Sequence, residues 1–243
     1  MAKPRIGIIY PSNGIYDLEF VDFAPKEISL HVTRWRWPKL DWSRPDAPDI
    51  MADLASDPEI ASCASLLDHI EPAVVTFACT SVSFATGASG DAAVLANIRR
   101  GTTARPSSTS TGFLAACGAL TADRVAIASV YRESVTERFV DFLEGGGRKV
   151  VSRRSDNWVR DPTRMTTNDL VDFAAASDHP SAQAVLLPET NIQTSDAIPL
   201  IEKRLGKPVL TAIQVTVWHA VRLAGLDWNE GVGALWRAGE AKP

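Results

Sequence analysis

The sequence predicts an α/β protein of two pseudo-symmetric lobes, each a short parallel sheet flanked by helices, with a cleft between them. Three observations support this. Apolar runs of strand length recur at residues 5–10, 73–78, 124–130 and 184–187, with helical patterns between them, and that alternation is the mark of parallel sheets with crossover helices. The runs also repeat in order, since 5–11 resembles 124–131, 73–80 resembles 184–190, and Arg105-Pro106 resembles Lys207-Pro208, each pair followed by a helical pattern. Finally, 243 residues at 45% apolar content suffice for a sizeable core.

Taken along the chain, residues 5–10 are the first strand, too short for a secretory signal and without a cleavage region. The Pro- and Trp-rich stretch 23–50 is expected to be a long irregular excursion. Asp57-Pro58 opens a helix that places Ile60, Cys63, Ala64, Leu67 and Ile70 on one face, so Cys63 is a core residue. The uncharged run 72–90 holds too many hydroxyl and glycine residues to span a bilayer, and is a strand followed by a loop. After the strand at 124–130, Ser134-Val135-Thr136-Glu137 fits a capping box, with Phe139, Phe142 and Leu143 on one stripe and Gly145 as the stop. Residues 1–112 are assigned to the first lobe, with 216–243 packing back onto it, and 113–215 to the second.

Composition narrows the class of function. A net charge of −4 with no long run of like charge argues against nucleic acid or an anionic membrane as partner. The interleaved segment Arg34-Trp35-Arg36-Trp37-Pro38-Lys39-Leu40-Asp41-Trp42 is short, and a substrate lid or dimer contact with Trp35 or Trp37 shaping the pocket, or plain loop packing above all, suits it better. Three cysteines at irregular spacing, Cys63, Cys79 and Cys117, do not form a disulfide framework and fit a reducing cytoplasm. The histidines His31, His69, His179 and His219 form no metal-binding pair, and His219, alone on a helix, reads as structural. No metal is expected. A small molecule is the expected partner, and homo-oligomerisation is left open.

Two residues carry the candidate chemistry. Cys79 follows an apolar strand and precedes Thr80 and Ser81. At such a strand end a helix N-terminus gathers amide donors, which would favour a thiolate and an anion. The competing reading is a small buried hydrophobe, the commonest fate of a free cysteine. Glu189 directly follows the apolar run Val185-Leu186-Leu187-Pro188, where desolvation should raise its pKa and suit it to acid–base work. Alternatively it is a helix-start or surface glutamate. The internal echo brings Cys79-Thr80 opposite Glu189-Thr190.

These residues resemble the Asp/Glu/hydantoin racemase superfamily, in particular its branch of maleate cis-trans isomerases and arylmalonate decarboxylases. The resemblance covers most of the chain. It rests on Ile8-Ile9-Tyr10-Pro11-Ser12-Asn13, Ala78-Cys79-Thr80-Ser81-Val82-Ser83-Phe84, Tyr131, Glu189-Thr190-Asn191, Lys207-Pro208-Val209 and the helix around Val217-Trp218-His219. It implies two lobes with substrate between them and no metal or organic cofactor. It also implies that Cys79 is the first of the two cysteines carried by family racemases and isomerases. Glu189 stands in the second cysteine's place, whereas the decarboxylases keep that second cysteine and have glycine at the first. By resemblance, Asn13, Thr80, Ser81, Tyr131, Thr190 and Asn191 hold the substrate carboxylate.

The expected function is therefore a cofactor-independent isomerase or racemase of a small carboxylic acid, with Cys79 and Glu189 acting from opposite faces. Charge would develop on carboxylate oxygens held by fixed donors. A decarboxylase, lyase or hydrolase on the same scaffold stays open. So does a non-catalytic small-ligand binding protein.

Overall fold

The computed structural model describes residues 3–38, 47–157 and 161–238. Two four-stranded parallel sheets share one strand order. In the first, β1 (Arg5–Pro11) lies between β2 (Ser29–Trp35) and β3 (Val74–Phe77), and β4 (Arg105–Ser108) closes the far edge. In the second, β5 (Arg124–Ser129) lies between β6 (Lys149–Ser155) and β7 (Ala184–Leu187), with β8 (Val209–Thr211) outermost. The paired runs of the sequence echo occupy equivalent places, β1 with β5, β3 with β7 and β4 with β8.

Burial explains which strands the sequence displays. The inner strands β1, β3, β5 and β7 are covered on both faces and are buried almost throughout, so they read as continuous apolar runs. Edge strands β2 and β6 carry His31, Thr33 and Arg34, or Ser152, Arg153 and Arg154, and are mostly half-buried. Their polar outer face hides them. The stretch 23–50, expected to be irregular, thus contains β2, paired to β1 with Ile8 beside Val32, and the start of α2 (Ala47–Asp53). Residues 39–46 of that stretch, which include Lys39 to Trp42, lie outside the described residues, as do 158–160 and 239–243.

The helices fill the crossovers. After α1 (Asp17–Asp22) and α2 comes α3 (Glu59–Asp68), which buries Ile60, Cys63, Ala64 and Leu67 while Ile70 falls beyond its end. Next are α4 (Thr80–Phe84), α5 (Ala88–Gly101) and α6 (Thr109–Ala119). In the second half α7 (Glu133–Gly145) buries Phe139, Phe142 and Leu143 and ends at Gly145. The expected capping box at Ser134 is absent, because α7 begins two residues earlier, with Arg132 as its N-cap, and its first amide donates to Asn157 Oδ1 at 3.1 Å. Capping boxes occur instead at Thr166/Asp169, opening α8 (Thr167–Ser177), and at Thr211/Gln214, opening α10 (Ala212–Leu223). Between those two helices lies α9 (Ile198–Leu205). Helix α10 packs on α6 and against β3, β4 and β8, and none of the described helices is long and apolar enough to cross a membrane.

The two halves meet along a polar seam. The Tyr10 hydroxyl, at the end of β1, donates to the Thr190 carbonyl at 2.9 Å and lies 3.3 Å from Asn191 Oδ1. Tyr16 donates to the Thr163 carbonyl at 2.8 Å. Arg34 holds the loop between β1 and α1 by donating to the carbonyls of Pro11 and Gly14 and to Asp17, its guanidinium lying 5.0 Å from the Tyr10 ring centre. Gly14 sits flat on that ring, and a methyl group there would come within 2.2 Å of it. Gly14→Ala should therefore displace Tyr10 and cost about 1–3 kcal/mol, the usual range for overpacking, seen as a fall of several degrees in the thermal midpoint. An unchanged midpoint would show that the seam tolerates movement of Tyr10.

Candidate active site

The C-terminal ends of β3 and β7 point into one cavity of about 240 Å³. Cys79 and Thr80-Ser81 enter it from the first sheet, and Tyr131 and Glu189 to Asn191 from the second. Asn13 stands at its exposed rim, and Pro11, Trp37, Pro162 and Thr163 complete the wall. All eight side chains expected at the site from the sequence, Asn13, Cys79, Thr80, Ser81, Tyr131, Glu189, Thr190 and Asn191, line this cavity. Trp37 lines it too. Trp35 is wholly buried beneath, bonded to Asp57 and packed on Phe77.

Cys79 is the residue before α4, in extended conformation, because the chain leaves β3 and turns at once into a helix. Its Sγ lies 4.0 Å from Ser81 Oγ. Two buried hydroxyls brace this turn from behind: Ser83 donates toward the carbonyls of Cys79 and Thr80 at 3.0 Å and meets Ser110 at 2.6 Å. The sequence led us to expect a thiol acidified by the helix N-terminus. The structure corrects this. Burial pushes the Cys79 thiol up to about 12, the nearby Glu189 carboxylate adds to the rise, and the Val82 amide and Ser81 offset only part of it. A helix N-terminus offers a thiolate about 0.3–2 kcal/mol, and the desolvation of a fully buried thiol outweighs it. Cys79 is a thiol at neutral pH.

Glu189 is 8% exposed, and burial pushes its carboxyl up to about 7. Three donors resist that rise: the Asn191 amide, at 2.7 Å from Oε1, the Tyr131 hydroxyl and the Thr190 amide. Desolvation prevails, as the sequence led us to expect. Tyr131 also donates to the Pro188 carbonyl, and burial together with Glu189 holds its phenol well above the ordinary tyrosine range. Thr80 Oγ1 is buried beside that phenol without a well-aligned hydrogen-bond partner. An unsatisfied buried hydroxyl is costly and is commonly completed by a ligand oxygen.

The arrangement supplies two proton-exchanging groups from different sheets, with hydroxyl donors between them able to face an oxyanion. The sequence does not single out Pro11, Pro162 or Thr163 individually. Pro11 sits inside the 8–13 motif and could have been read from it, whereas Pro162 and Thr163 lie in a segment without periodicity. His219 is remote from the cavity, sharing a 2.8 Å hydrogen bond with Ser107 and pushed down to about 4 by burial.

Known proteins resemble this chain in sequence and in fold. A family model described as arylmalonate decarboxylase matches residues 55–236. The arylmalonate decarboxylase of Bordetella bronchiseptica is 35% identical over 196 residues, covering 74% of this chain and 82% of that one. The liganded structure of an arylmalonate decarboxylase double mutant, cysteine for glycine and serine for cysteine, superposes with a TM-score of 0.82 at 30% identity, covering 96% of this chain and 98% of the other. The fold is shared with the maleate isomerase of Pseudomonas putida S16, with a TM-score of 0.84 at 21% identity over 97% of this chain and 98% of that one.

Burial makes one immediate prediction. Cys63, Cys79 and Cys117 are all buried, with thiols pushed up to about 11, 12 and 12. Iodoacetamide at pH 8 should therefore label the native protein at least about a hundredfold more slowly than a free thiol of ordinary pKa, and all three sites after denaturation. Rapid labelling of Cys79 in the native state would contradict the thiol assignment.

Proposed function

The chain belongs to the arylmalonate decarboxylase family, and we propose that within it the chain is a cofactor-independent isomerase or racemase of a small carboxylic acid. One observation carries this reading: Cys79 and Glu189 line one small cavity from different sheets, one protonated at neutral pH and the other poised near neutrality. A 1,1-proton transfer needs such a pair.

In this reading the substrate carboxylate lies against Thr80, Ser81 and Tyr131, with Asn13, Thr190 and Asn191 completing the cradle. Glu189, as carboxylate, removes the proton from the carbon beside the carboxylate. The bonding pair moves into the carboxylate and gives an enediolate, whose second oxygen charge is met by the Thr80 and Ser81 hydroxyls. Fixed donors of this kind contribute about 3–4 kcal/mol each in comparable sites. The Cys79 thiol then delivers its proton to the other face of the same carbon. Glu189 leaves the step protonated and Cys79 as thiolate, and exchange with water resets both.

The second reading is decarboxylation, supported by the decarboxylase relative and by a thiol better suited to giving a proton than taking one. Here a carbon–carbon bond breaks, CO2 departs, the pair enters the same enediolate and Cys79 protonates it. A charged Glu189 beside a departing carboxylate would repel it, so this route runs with Glu189 neutral.

The pH profile separates the two. Glu189 is a neutral acid below about pH 7 and a carboxylate above, so isomerisation should rise through that midpoint and decarboxylation fall. With a panel of 2-substituted carboxylic and malonic acids in D2O, we expect deuterium at the carbon beside the carboxylate without CO2 release, at a rate rising through about pH 7. Cys79→Ala and Glu189→Gln should each reduce it roughly 10²- to 10⁴-fold. CO2 release at a rate falling through the same midpoint would replace the isomerase reading with the decarboxylase one. Tight binding of panel acids without either product would overturn both.

A further inference from the structure

A second buried carboxylate stands apart from the cavity and holds the loop that carries Glu189. Glu19 lies in the first turn of α1 and is 2% exposed. Its Oε1 accepts from the Thr194 amide, from Thr194 Oγ1 at 2.7 Å and from the Ser195 amide at 3.0 Å. All three donors belong to the other half of the molecule, in the loop between β7 and α9. Thr194 Oγ1 also lies 2.9 Å from Thr211 Oγ1, where β8 ends and α10 is capped.

Oxygen Oε2 is buried with no hydrogen-bond partner, and among the described residues no basic side chain is bonded to the carboxyl. Burial accordingly pushes Glu19 up to about 7 against its three donors, with Asp22 adding to the rise, and Glu19 in turn raises Tyr16. A glutamate placed where water is excluded and no cation compensates is costly. The fold retains it at the one position where it can gather the free amides of the loop turn.

That loop is tied at several points along its length. Tyr131 holds the Pro188 carbonyl, Tyr10 the Thr190 carbonyl, and Glu19 the turn at Thr194 and Ser195. Glu189 and Asn191 lie between the first and last ties, and the Asn191 amide donates to Glu189 Oε1 while its side-chain carbonyl accepts from the Ile15 amide. We propose that Glu19 is a positioning residue for this site: its carboxylate, reaching across the seam, fixes the loop turn and thereby sets the Glu189 carboxylate in its dry place opposite Cys79. The inference rests on the reading of Glu189 as a proton-exchanging group, and it is tested without turnover.

Carboxyl-¹³C NMR of glutamate-labelled protein, with the Glu189 signal identified by its loss in Glu189→Gln, reports the ionisation of Glu189 directly. The groups facing it are Tyr131, Cys79, Tyr10 and the Thr190 and Asn191 amides. Glu19→Ala removes the acceptor, so the loop should admit water and the Glu189 midpoint should fall by at least about one pH unit toward the ordinary range. Exchange of the Thr194 and Ser195 amides should quicken by about tenfold or more. Glu19→Gln keeps the acceptor oxygen and should keep both values near wild type. A folded Glu19→Ala protein with an unmoved Glu189 midpoint overturns the proposal. Should Glu19→Ala not fold, Thr194→Val, which removes one of the three donors, must move Glu189 in the same direction, and an unmoved midpoint there overturns it equally. Failure of the enzymatic reading would appear separately, as absent turnover in a wild type whose Glu189 midpoint responds to Glu19.

Discussion

The hydrogen bond from the Tyr10 hydroxyl to the Thr190 carbonyl joins the end of β1 to the loop beyond β7, buried at 2.9 Å, and the chemistry of the cavity depends on that junction staying closed. A single bond of this kind is worth only about 1 kcal/mol net. Its importance lies in where it stands. Cys79 and Glu189 are buried where the two halves meet, and desolvation is the largest influence on each. Amide and hydroxyl donors act on both groups in the opposite direction and lose. Two lobes with ordinary interiors thus produce a thiol that stays protonated and a carboxyl that changes charge near neutrality.

Much of the fold was legible in the sequence, and the legible part has a physical description. Inner strands buried on both faces must be apolar from end to end, so Ile6 to Tyr10 and Val185 to Leu187 stand out in a chain of otherwise mixed character. The edge strands carry no such signal: β2 alternates half-buried and exposed positions, and β4 consists of Arg105, Pro106, Ser107 and Ser108. Proline is tolerated there because β4 is an edge. The start of α7 misled for a different reason. Ser134 and Glu137 have the spacing of a capping box, yet the amide of Glu133 is met by Asn157, a residue brought close only by the tertiary fold.

The site was legible where chemistry and strand ends coincide. Cys79 and Thr80 follow one inner strand and Glu189 and Thr190 its counterpart, so the internal echo set these pairs opposite each other, whereas Asn13, Ser81, Tyr131 and Asn191 came from the family resemblance. The charge state of Cys79 was not legible, because the balance between dipole and desolvation depends on how tightly the cavity closes, which a sequence does not display. Nor was Glu19, whose three partners lie about 175 positions along the chain. Its neighbours Asp17 and Asp22 are also carboxylate residues and stand toward solvent.

Against the pattern implied for the family, this chain keeps a thiol at the end of β3 and has a carboxyl at the end of β7. The two sites are equivalent in the repeated topology, so the exchange of residue type makes a symmetric scaffold chemically directional. A carboxyl near neutrality accepts a proton readily, and a thiol pushed up to about 12 surrenders one only to a strong base such as a carbanion or enediolate. The most direct test of this directional pair is a crystal structure with a bound planar enediolate mimic of a small carboxylic acid. The account expects one ligand oxygen on Thr80 Oγ1, with Cys79 Sγ and the Glu189 carboxyl each about 3–3.5 Å from a single carbon on opposite faces. A ligand whose reactive carbon meets only one of the two, or meets both from the same face, would contradict it.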